Sequence, residues 1–164
     1  MKKYLPLIVL TAALTGCNTV YVPTIAEVPV RPINNDSISP IDTGGAFRLS
    51  NSHHSDVAKI RFEATRLSDQ VGKGQITKVQ AAQYLNKYRL QLVGKNPVDD
   101  SVYEVYLRSA VDSQRGAITT EQSKLYIQNT LKGWQQRWPN MSNKPNNPAF
   151  TNFLMELMNM NPLQ

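Results

Sequence analysis

The chain has 164 residues, of which 41% are hydrophobic and 18% are charged, as expected for one modest globular domain with additional segments. The formal net charge is +6, and it falls to +4 if Lys2 and Lys3 are removed with a signal peptide. This balance, without basic clusters interleaved with aromatic residues, argues against a nucleic-acid-binding protein. The single cysteine, Cys17, excludes an intramolecular disulfide.

The first seventeen residues, MKKYLPLIVLTAALTGC, contain three zones. Lys2 and Lys3 form a positive amino-terminal region, and residues 5–14 are a mostly apolar run too short to cross a bilayer as a stable helix. Small residues then lead to Cys17. This order resembles the signal peptide of bacterial lipoproteins, with LTGC as the lipobox. The resemblance implies cleavage between Gly16 and Cys17, diacylglycerol on the Cys17 sulfur, and palmitate or a similar acyl group on the new amino terminus.

Residues 1–16 are therefore predicted to be a lipoprotein signal peptide. The alternatives are an ordinary secretory signal or a buried helix with a chance cysteine. Several acyl chains on one residue hold a protein durably on a membrane. In Gram-negative lipoproteins the residue after the cysteine influences sorting, and Asn18 is not the aspartate that favours inner-membrane retention. The resemblance therefore implies an outer-membrane lipoprotein that faces the periplasm, with exposure at the cell surface as the alternative.

Residues 17–53 are predicted to be the lipidated cysteine followed by an extended, proline-rich tether. Four prolines recur between residues 23 and 40, and each removes a donor and restricts the residue before it. A flexible chain of this length spans roughly 30 Å. The apolar stretch Val20–Val30 leaves a second interpretation, an edge strand or a segment that docks on a partner. His53 and His54 are expected to precede the first helix and not to bind metal, because adjacent side chains diverge.

The rest of the chain is predicted to be all-α, because apolar residues recur at spacings of three and four and no segment alternates as a strand does. We expect a small bundle of two helical hairpins within residues 54–138, about 55–94 and 98–138. Residues 139–164 are expected to be a polar break and a C-terminal amphipathic helix. The expected apolar faces of the four hairpin helices are Val57, Ile60, Ala64, Leu67 and Val71; Ala81, Leu85, Tyr88 and Leu92; Val102, Tyr103, Tyr106, Leu107 and Ala110; and Ile127, Leu131, Trp134 and Trp138.

Polar residues mark where these helices begin. Ser55 or Asp56 is expected to cap the first helix. Asp99 and Asp100 fall in the first turn of the third helix, where a carboxylate is stabilised by the helix dipole. Each of these roles is local to its own helix.

A short phrase occurs twice, as KGQITKVQAAQY from Lys73 and as RGAITTEQSKLY from Arg115, 42 residues apart. In each copy a Thr and the Gln three residues later have the spacing of a capping box, in which each side chain bonds the backbone amide of the other. A Gly supplies the left-handed conformation that often ends a helix. We therefore predict two tight helix–turn–helix corners, and their structural residues are Gly74, Thr77, Gln80, Gly116, Thr119 and Gln122.

Two parts of the chain are candidates for binding a partner. Capping does not explain the Tyr at the end of each phrase copy, although half-buried tyrosines between helices would also account for them. The C-terminal helix either closes the core or offers its apolar side, with its flexible methionines, to another protein. The candidate partner surface is therefore Tyr84, Tyr126, Phe150, Phe153, Leu157 and Met158.

The sequence contains no recognisable catalytic constellation, cofactor motif or metal-ligand spacing, so we expect a non-enzyme without cofactors. Cys17 is expected to carry lipid, and both histidines stand at the end of the tether. Carboxylate pairs such as Glu63 with Glu104, or Glu104 with Glu121, are what a peptidoglycan-cleaving enzyme would use. Solvated helix faces explain the same residues.

The sequence as a whole favours a membrane-anchored, non-enzymatic module that binds another envelope protein or peptidoglycan. A pilotin-like role, in which a small helical lipoprotein escorts a secretion-system subunit to the outer membrane, is one concrete form. The alternatives are a peptidoglycan-acting enzyme or cell-wall-binding lipoprotein, and a surface-exposed lipoprotein or inhibitor. A groove lined by aromatic residues would favour the interaction module, and paired glutamates of raised pKa in a concave site would favour the enzyme.

Overall fold

Residues 46–164 are described in a computed structural model, and the expected signal peptide, Cys17 and most of the tether lie outside that range. Within it the regular structure consists of five α-helices and one short 3₁₀ turn without β-strands, so the prediction of an all-α fold is confirmed. The helices are α1 (His53–Gly72), α2 (Lys78–Val93), α3 (Pro97–Gln114), α4 (Thr120–Arg137) and α5 (Ala149–Leu157), and the 3₁₀ turn is Trp138–Asn140.

The first four helices form two hairpins, α1 with α2 and α3 with α4, and contacts between α2 and α3 join them. α1 begins at His53, slightly earlier than expected, and its N-cap residue Ser52 makes no side-chain cap. Ser55 is therefore not the cap that the sequence suggested, and neither is Asp56. The Asp56 carboxylate accepts a hydrogen bond from Asn147 Nδ2 at 2.9 Å and another from Lys59 Nζ at 3.4 Å.

The two hairpin turns close with the same pair of hydrogen bonds. Thr77 Oγ1 accepts from the Gln80 amide at 3.1 Å, and Gln80 Oε1 accepts from the Thr77 amide at 2.9 Å. Thr119 and Gln122 repeat this capping box at 3.1 and 2.8 Å. The boxes satisfy amides that would otherwise lack partners at the starts of α2 and α4.

A glycine ends the first helix of each hairpin. Gly74 and Gly116 have φ angles of +68° and +73°, in the left-handed region that side chains with a Cβ seldom adopt. The amide that follows each glycine bonds the carbonyl five residues before it, at 2.9 Å in the first turn and 2.8 Å in the second. This is the helix ending in which glycine is strongly preferred.

α5 is a core helix. It packs against α1, α3 and α4, and residues 149–155 are all buried. Phe150 and Phe153 are 0% and 3% exposed, so the hypothesis that these two residues form a partner surface is wrong. Phe150 packs edge-on against the rings of Tyr103 and Tyr106. The apolar face of α5 thus closes the space between the two hairpins.

Asp99 fixes the start of α5 from the first turn of α3. It is fully buried, and its carboxylate accepts from the Phe150 amide at 3.2 Å, the Thr151 amide at 2.9 Å, Thr151 Oγ1 at 2.7 Å and Asn96 Nδ2 at 2.9 Å. Pro148, at the N-cap position of α5, provides no side-chain cap, so Asp99 caps α5 across the fold. Burial raises the pKa of Asp99, although its hydrogen bonds to Thr151, Asn96 and Phe150 act in the opposite direction.

His53 ties α5 and the chain end to the start of α1. It is buried inside the first turn of the helix and does not precede it. Its Nδ1 lies 2.8 Å from Asn147 Oδ1, and its Nε2 lies 2.9 Å from Asn152 Nδ2. An amide nitrogen can only donate, so this assignment puts the imidazole proton on Nδ1. Asn152 also bonds the carbonyl and the amide of Leu163, at 3.0 and 2.7 Å.

Candidate functional site

α5 occupies only part of the space between the two hairpins. It has nine residues and α1 has twenty, which at 1.5 Å per residue is about 14 Å against about 30 Å. It lies beside the first halves of α1 and α3, where His53 and Asp99 bind it. A cavity of about 270 Å³ opens between the second halves of α1 and α3 and the first halves of α2 and α4.

This cavity, which we call the turn pocket, is lined by equivalent positions of the two hairpins. Twelve of its thirteen lining residues form six pairs that are 42 residues apart, the spacing of the repeated phrase. The pairs are Ala64 with Tyr106, Ser68 with Ala110, Val71 with Ser113, Lys78 with Thr120, Ala81 with Ser123, and Leu85 with Ile127, and the thirteenth residue is Leu67. The repeat therefore extends beyond the turns into the helices on both sides.

Small side chains explain why the turn pocket is open. Six of the thirteen lining residues are Ala or Ser, so they leave unfilled the space that larger side chains occupy elsewhere between the hairpins. Leu67, Leu85 and Ile127 are buried and give the pocket apolar walls. Burial raises the pKa of Tyr106, so its phenol is a neutral group that can donate or accept a hydrogen bond.

Lys78 is the one charged residue among those that line the turn pocket. It is the exposed first residue of α2, and its Nζ donates to Ser113 Oγ at 2.9 Å. The next amide, that of Val79, donates to Gln114 Oε1 at 3.0 Å. These two bonds join the start of α2 to the end of α3 and hold a cation at the rim of the pocket.

The structural turn residues lie at this end of the fold but do not line the turn pocket. Their capping boxes fix where α2 and α4 begin, and the first residues of those helices, Lys78 and Thr120, do line it. The turn glycines and capping residues of the repeated phrase thus position the site, while four other residues of the phrase, Lys78, Ala81, Thr120 and Ser123, form part of its surface. That division of roles could have been anticipated by extending the comparison of the two copies beyond Tyr84 and Tyr126.

Tyr84 and Tyr126 are placed at the flank of the pocket. They are 45% and 47% exposed, and each follows a lining residue, Ala81 or Ser123, by three positions. Residues three apart are neighbours on a helix surface, so both tyrosines border the lining face. Two other members of the suggested partner surface lie elsewhere and do not line the pocket: Leu157 is exposed and Met158 is partly buried at the end of α5.

The glutamates proposed from the sequence as a catalytic pair do not line the turn pocket. Arg66 donates two hydrogen bonds to Glu63, at 2.8 and 2.6 Å, and this interaction holds the pKa of Glu63 below its usual value. A general acid for glycoside cleavage needs a raised pKa, so the geometry does not favour that role for Glu63. Within residues 46–164, His, Cys, Asp and Glu side chains do not gather in groups of three that could hold a metal ion.

Comparison with known proteins bears on the amino terminus. Residues 1–18 match the family model described as the prokaryotic membrane lipoprotein lipid attachment site. The match includes Cys17 and supports a bacterial lipoprotein anchored to a membrane by lipid. No curated protein and no solved structure matches the chain. None of the helices described between residues 46 and 164 is long and apolar enough to span a bilayer.

Proposed function

We propose that this chain is a non-enzymatic interaction module of the bacterial cell envelope, held through lipid on Cys17 at the periplasmic face of the outer membrane. Its helical domain binds another envelope protein, and the binding site is the turn pocket with Tyr84 and Tyr126 at its flank. A pilotin-like role, the escort of a secretion-system subunit to the outer membrane, is a concrete form that suits a small helical lipoprotein.

The observation that carries this proposal is the turn pocket itself. It lies between the same two hairpins that accommodate the apolar face of α5 in their other half. A groove of this kind receives the large side chains of an amphipathic helix. Full burial of one Leu or Phe side chain from a partner would contribute about 1.5–3 kcal/mol, so a few such side chains would support a stable complex.

The anchor and the tether support a site of this kind. Asn18, which follows Cys17, is not the aspartate that favours inner-membrane retention of Gram-negative lipoproteins, and this supports the outer membrane. The predicted tether ends before residue 53, because Phe47 packs against Trp138 and the Ser50 amide bonds the Asn146 carbonyl. Residues 18–45 would have a root-mean-square reach of roughly 30 Å as a flexible chain. Such a reach would let the turn pocket meet a partner away from the lipid headgroups.

Filling the turn pocket tests the proposal. Ala81→Leu and Ser123→Leu, at paired positions, add larger side chains to two of its walls. In the full-length lipidated protein extracted from membranes, we expect the double variant to keep its helical circular dichroism and to lose an envelope protein that co-purifies with the wild type. Gln83→Leu places the same side chain at an exposed position of α2 outside the pocket, and it should keep that protein.

Cys17→Ser is the matched test of the anchor, and it should abolish labelling by a fatty-acid analogue. A double pocket variant that folds and retains every co-purifying protein would contradict the turn pocket as the binding site. Equal labelling of Cys17→Ser and the wild type would contradict the lipid anchor. Retention of the wild type on purified peptidoglycan, lost in the double variant, would favour the cell-wall-binding alternative.

A further inference from the structure

The charge at the rim of the turn pocket indicates what the pocket binds. We propose that its occupant is an amphipathic helix of another envelope protein and that this helix carries an aspartate or glutamate at the point where it meets Lys78. This assignment rests on the proposed function, because it takes the turn pocket to be a protein-binding site. Beyond the proposed function, the assignment specifies that the bound segment carries a negative charge.

Lys78 has no acidic partner within the described part of the chain. None of the six ion pairs there includes it, and its Nζ bonds a neutral hydroxyl, Ser113 Oγ. The acidic residues that precede the two turn glycines are paired with other cations, Asp69 with Lys73 and Asp112 with Arg115, each at 2.6 Å. The positive charge at the rim is therefore available to a bound carboxylate.

The repeat shows that the fold does not require this charge. The position equivalent to Lys78 in the second hairpin is Thr120, and the turn before it closes with the same capping box. The other five pairs that line the pocket are neutral. A lysine at only one of two equivalent rim positions is thus not required by the turn. Its bond to Ser113 Oγ links α2 to α3, but a neutral hydroxyl leaves the positive charge available for recognition of an anionic group.

A carboxylate on the bound helix would satisfy this rim. An entirely apolar occupant would cover part of Lys78 and leave its charge without compensation, which costs free energy. A carboxylate would form a charge-assisted hydrogen bond with Nζ, and the hydroxyls of Ser113 and Thr120 could donate to it as well. Residues 46–164 also carry fifteen basic and nine acidic residues, which attracts an acidic segment at longer range.

Photocrosslinking in the full-length lipidated chain tests this assignment. The probe is benzoylphenylalanine in place of Tyr126, since an aromatic side chain already occupies that position at the flank of the pocket. The control carries the same probe in place of Phe62, which is 75% exposed on α1 and does not line the pocket. We expect position 126, and not position 62, to crosslink a helical segment with an acidic residue within one turn of the crosslinked site.

Variants of Lys78 in the position-126 probe chain then measure the charge. Lys78→Gln should lower the crosslink yield about fivefold, the upper range for a partly exposed ion pair, and should make the yield less sensitive to added salt. Lys78→Arg should retain the yield because it keeps the charge. Lys124→Gln, at an exposed lysine of α4 outside the pocket lining, should leave it unchanged.

The outcomes separate the two proposals. A crosslinked protein segment that lacks an acidic residue, or a yield that Lys78→Gln does not lower, would overturn the assignment of an acidic helix and leave the proposed function standing. Crosslinks from position 126 to lipid or glycan alone, or none beyond those of position 62, would overturn both.

Discussion

The two ends of the four-helix frame are built from the same helices and completed in different ways. At the α5 end, seven consecutive residues of α5 are buried, and the polar side chains of Asp99, His53 and Asn152 hold them with hydrogen bonds. At the turn end, the capping boxes close each turn and two hydrogen bonds from Lys78 and Val79 link α2 to α3. The space between the hairpins remains open there as the turn pocket. The contrast indicates that the α5 end stabilises the domain, and it leaves the turn end as the place of the proposed binding.

Buried polar groups at the α5 end also give α5 a single position. A shift of α5 by one residue would remove the Phe150 and Thr151 amides from Asp99 and leave buried groups without partners, which costs about 1–3 kcal/mol for each. The lining of the turn pocket makes fewer such demands on an occupant. Its walls are apolar or carry hydroxyls that water can also satisfy, and Lys78 at its rim is the one charged residue among them.

Removal of α5 should have the largest effect on the stability of the domain. Deleting residues 141–164 takes away a helix with seven consecutive buried residues and exposes the apolar faces of both hairpins. We therefore expect the truncated domain to lose its cooperative melt and most of its helical circular dichroism. Leu157→Ala is the control, because Leu157 is 63% exposed and its loss should change the free energy of unfolding by less than about 0.5 kcal/mol. A truncated protein that still melts cooperatively would mean that the hairpins are stable without α5.

Among single substitutions, Asp99→Ala should have the largest effect on stability. The change leaves the Phe150 amide, the Thr151 amide and hydroxyl, and one Asn96 donor without their acceptor. We expect the free energy of unfolding to fall by about 4 kcal/mol, because each buried donor that is left without an acceptor costs about 1–3 kcal/mol. Denaturant melts of the domain measure it. Asp112→Ala, which breaks a pair between a partly buried aspartate and the exposed Arg115, should cost less than about 1 kcal/mol. Equal effects of the two changes would mean that Asp99 contributes no more to stability than a surface ion pair.

The contributions of two buried carboxylates, Asp99 and Asp56, to stability should depend on pH in opposite directions. Burial raises the pKa of Asp99, so its contribution to stability is greatest in acid and declines as the pH rises through its folded pKa. For Asp56, burial raises the pKa, but hydrogen bonds from Ser52, Asn147 and Lys59 outweigh burial and lower it. The contribution of Asp56 is therefore present at neutral pH and lost as the pH falls through its folded pKa. Melts of Asp99→Ala and Asp56→Ala at pH 3 and pH 7 should show these opposite trends.

Local patterns in the sequence predicted the helices and the two turns, because the forces that form them act within a few residues. Apolar spacing identified the hairpins, and the paired Thr and Gln of each phrase form the hydrogen bonds of a capping box. The role of α5 could not be decided in the same way. Its apolar face is as compatible with a partner as with a core, and only the packing of Phe150 against Tyr103 and Tyr106 decides between them.

Three polar residues have roles that local sequence patterns do not predict. The sequence places Asp99 at the dipole of its own helix and His53 ahead of α1, yet both bind α5 over long sequence distances. Arg89 lies in a helix with other basic residues, but it is 1% exposed and pairs with Asp100 at 2.6 Å. Such buried polar side chains have the same local sequence signature as solvated ones, so their burial follows from tertiary packing alone.

Part of the lining of the turn pocket could be recognised in the sequence from the repeat. The pairs Ala81 with Ser123 and Leu85 with Ile127 continue the 42-residue repeat on either side of the tyrosines. What the sequence did not contain was the length of α5 relative to the hairpins and the convergence of four helix segments on one cavity. Both depend on how the hairpins pack, which a repeat spacing does not specify.

The smallest effects are expected in the turns. Thr77→Ala and Thr119→Ala each remove one N-cap hydrogen bond, at 3.1 Å in both turns, and each should lower the free energy of unfolding by about 1 kcal/mol. Because the turns lie at separate helix starts, the double variant should lose about the sum of the two. Thr130→Ala is the control, since its hydroxyl bonds only the Tyr126 carbonyl within α4 and stabilises no helix start.

The same turn variants also test how the two ends divide their roles. Thr77→Ala and Thr119→Ala leave every residue that lines the turn pocket unchanged, so crosslinking from position 126 should survive while the domain stays folded. Gly74→Asn should be tolerated better than Gly74→Val, because Asn reaches positive φ more readily. If the threonine variants kept full stability but lost the crosslink, the turns themselves would touch the partner. The capping residues of the repeated phrase would then belong to the binding surface in addition to closing the turns.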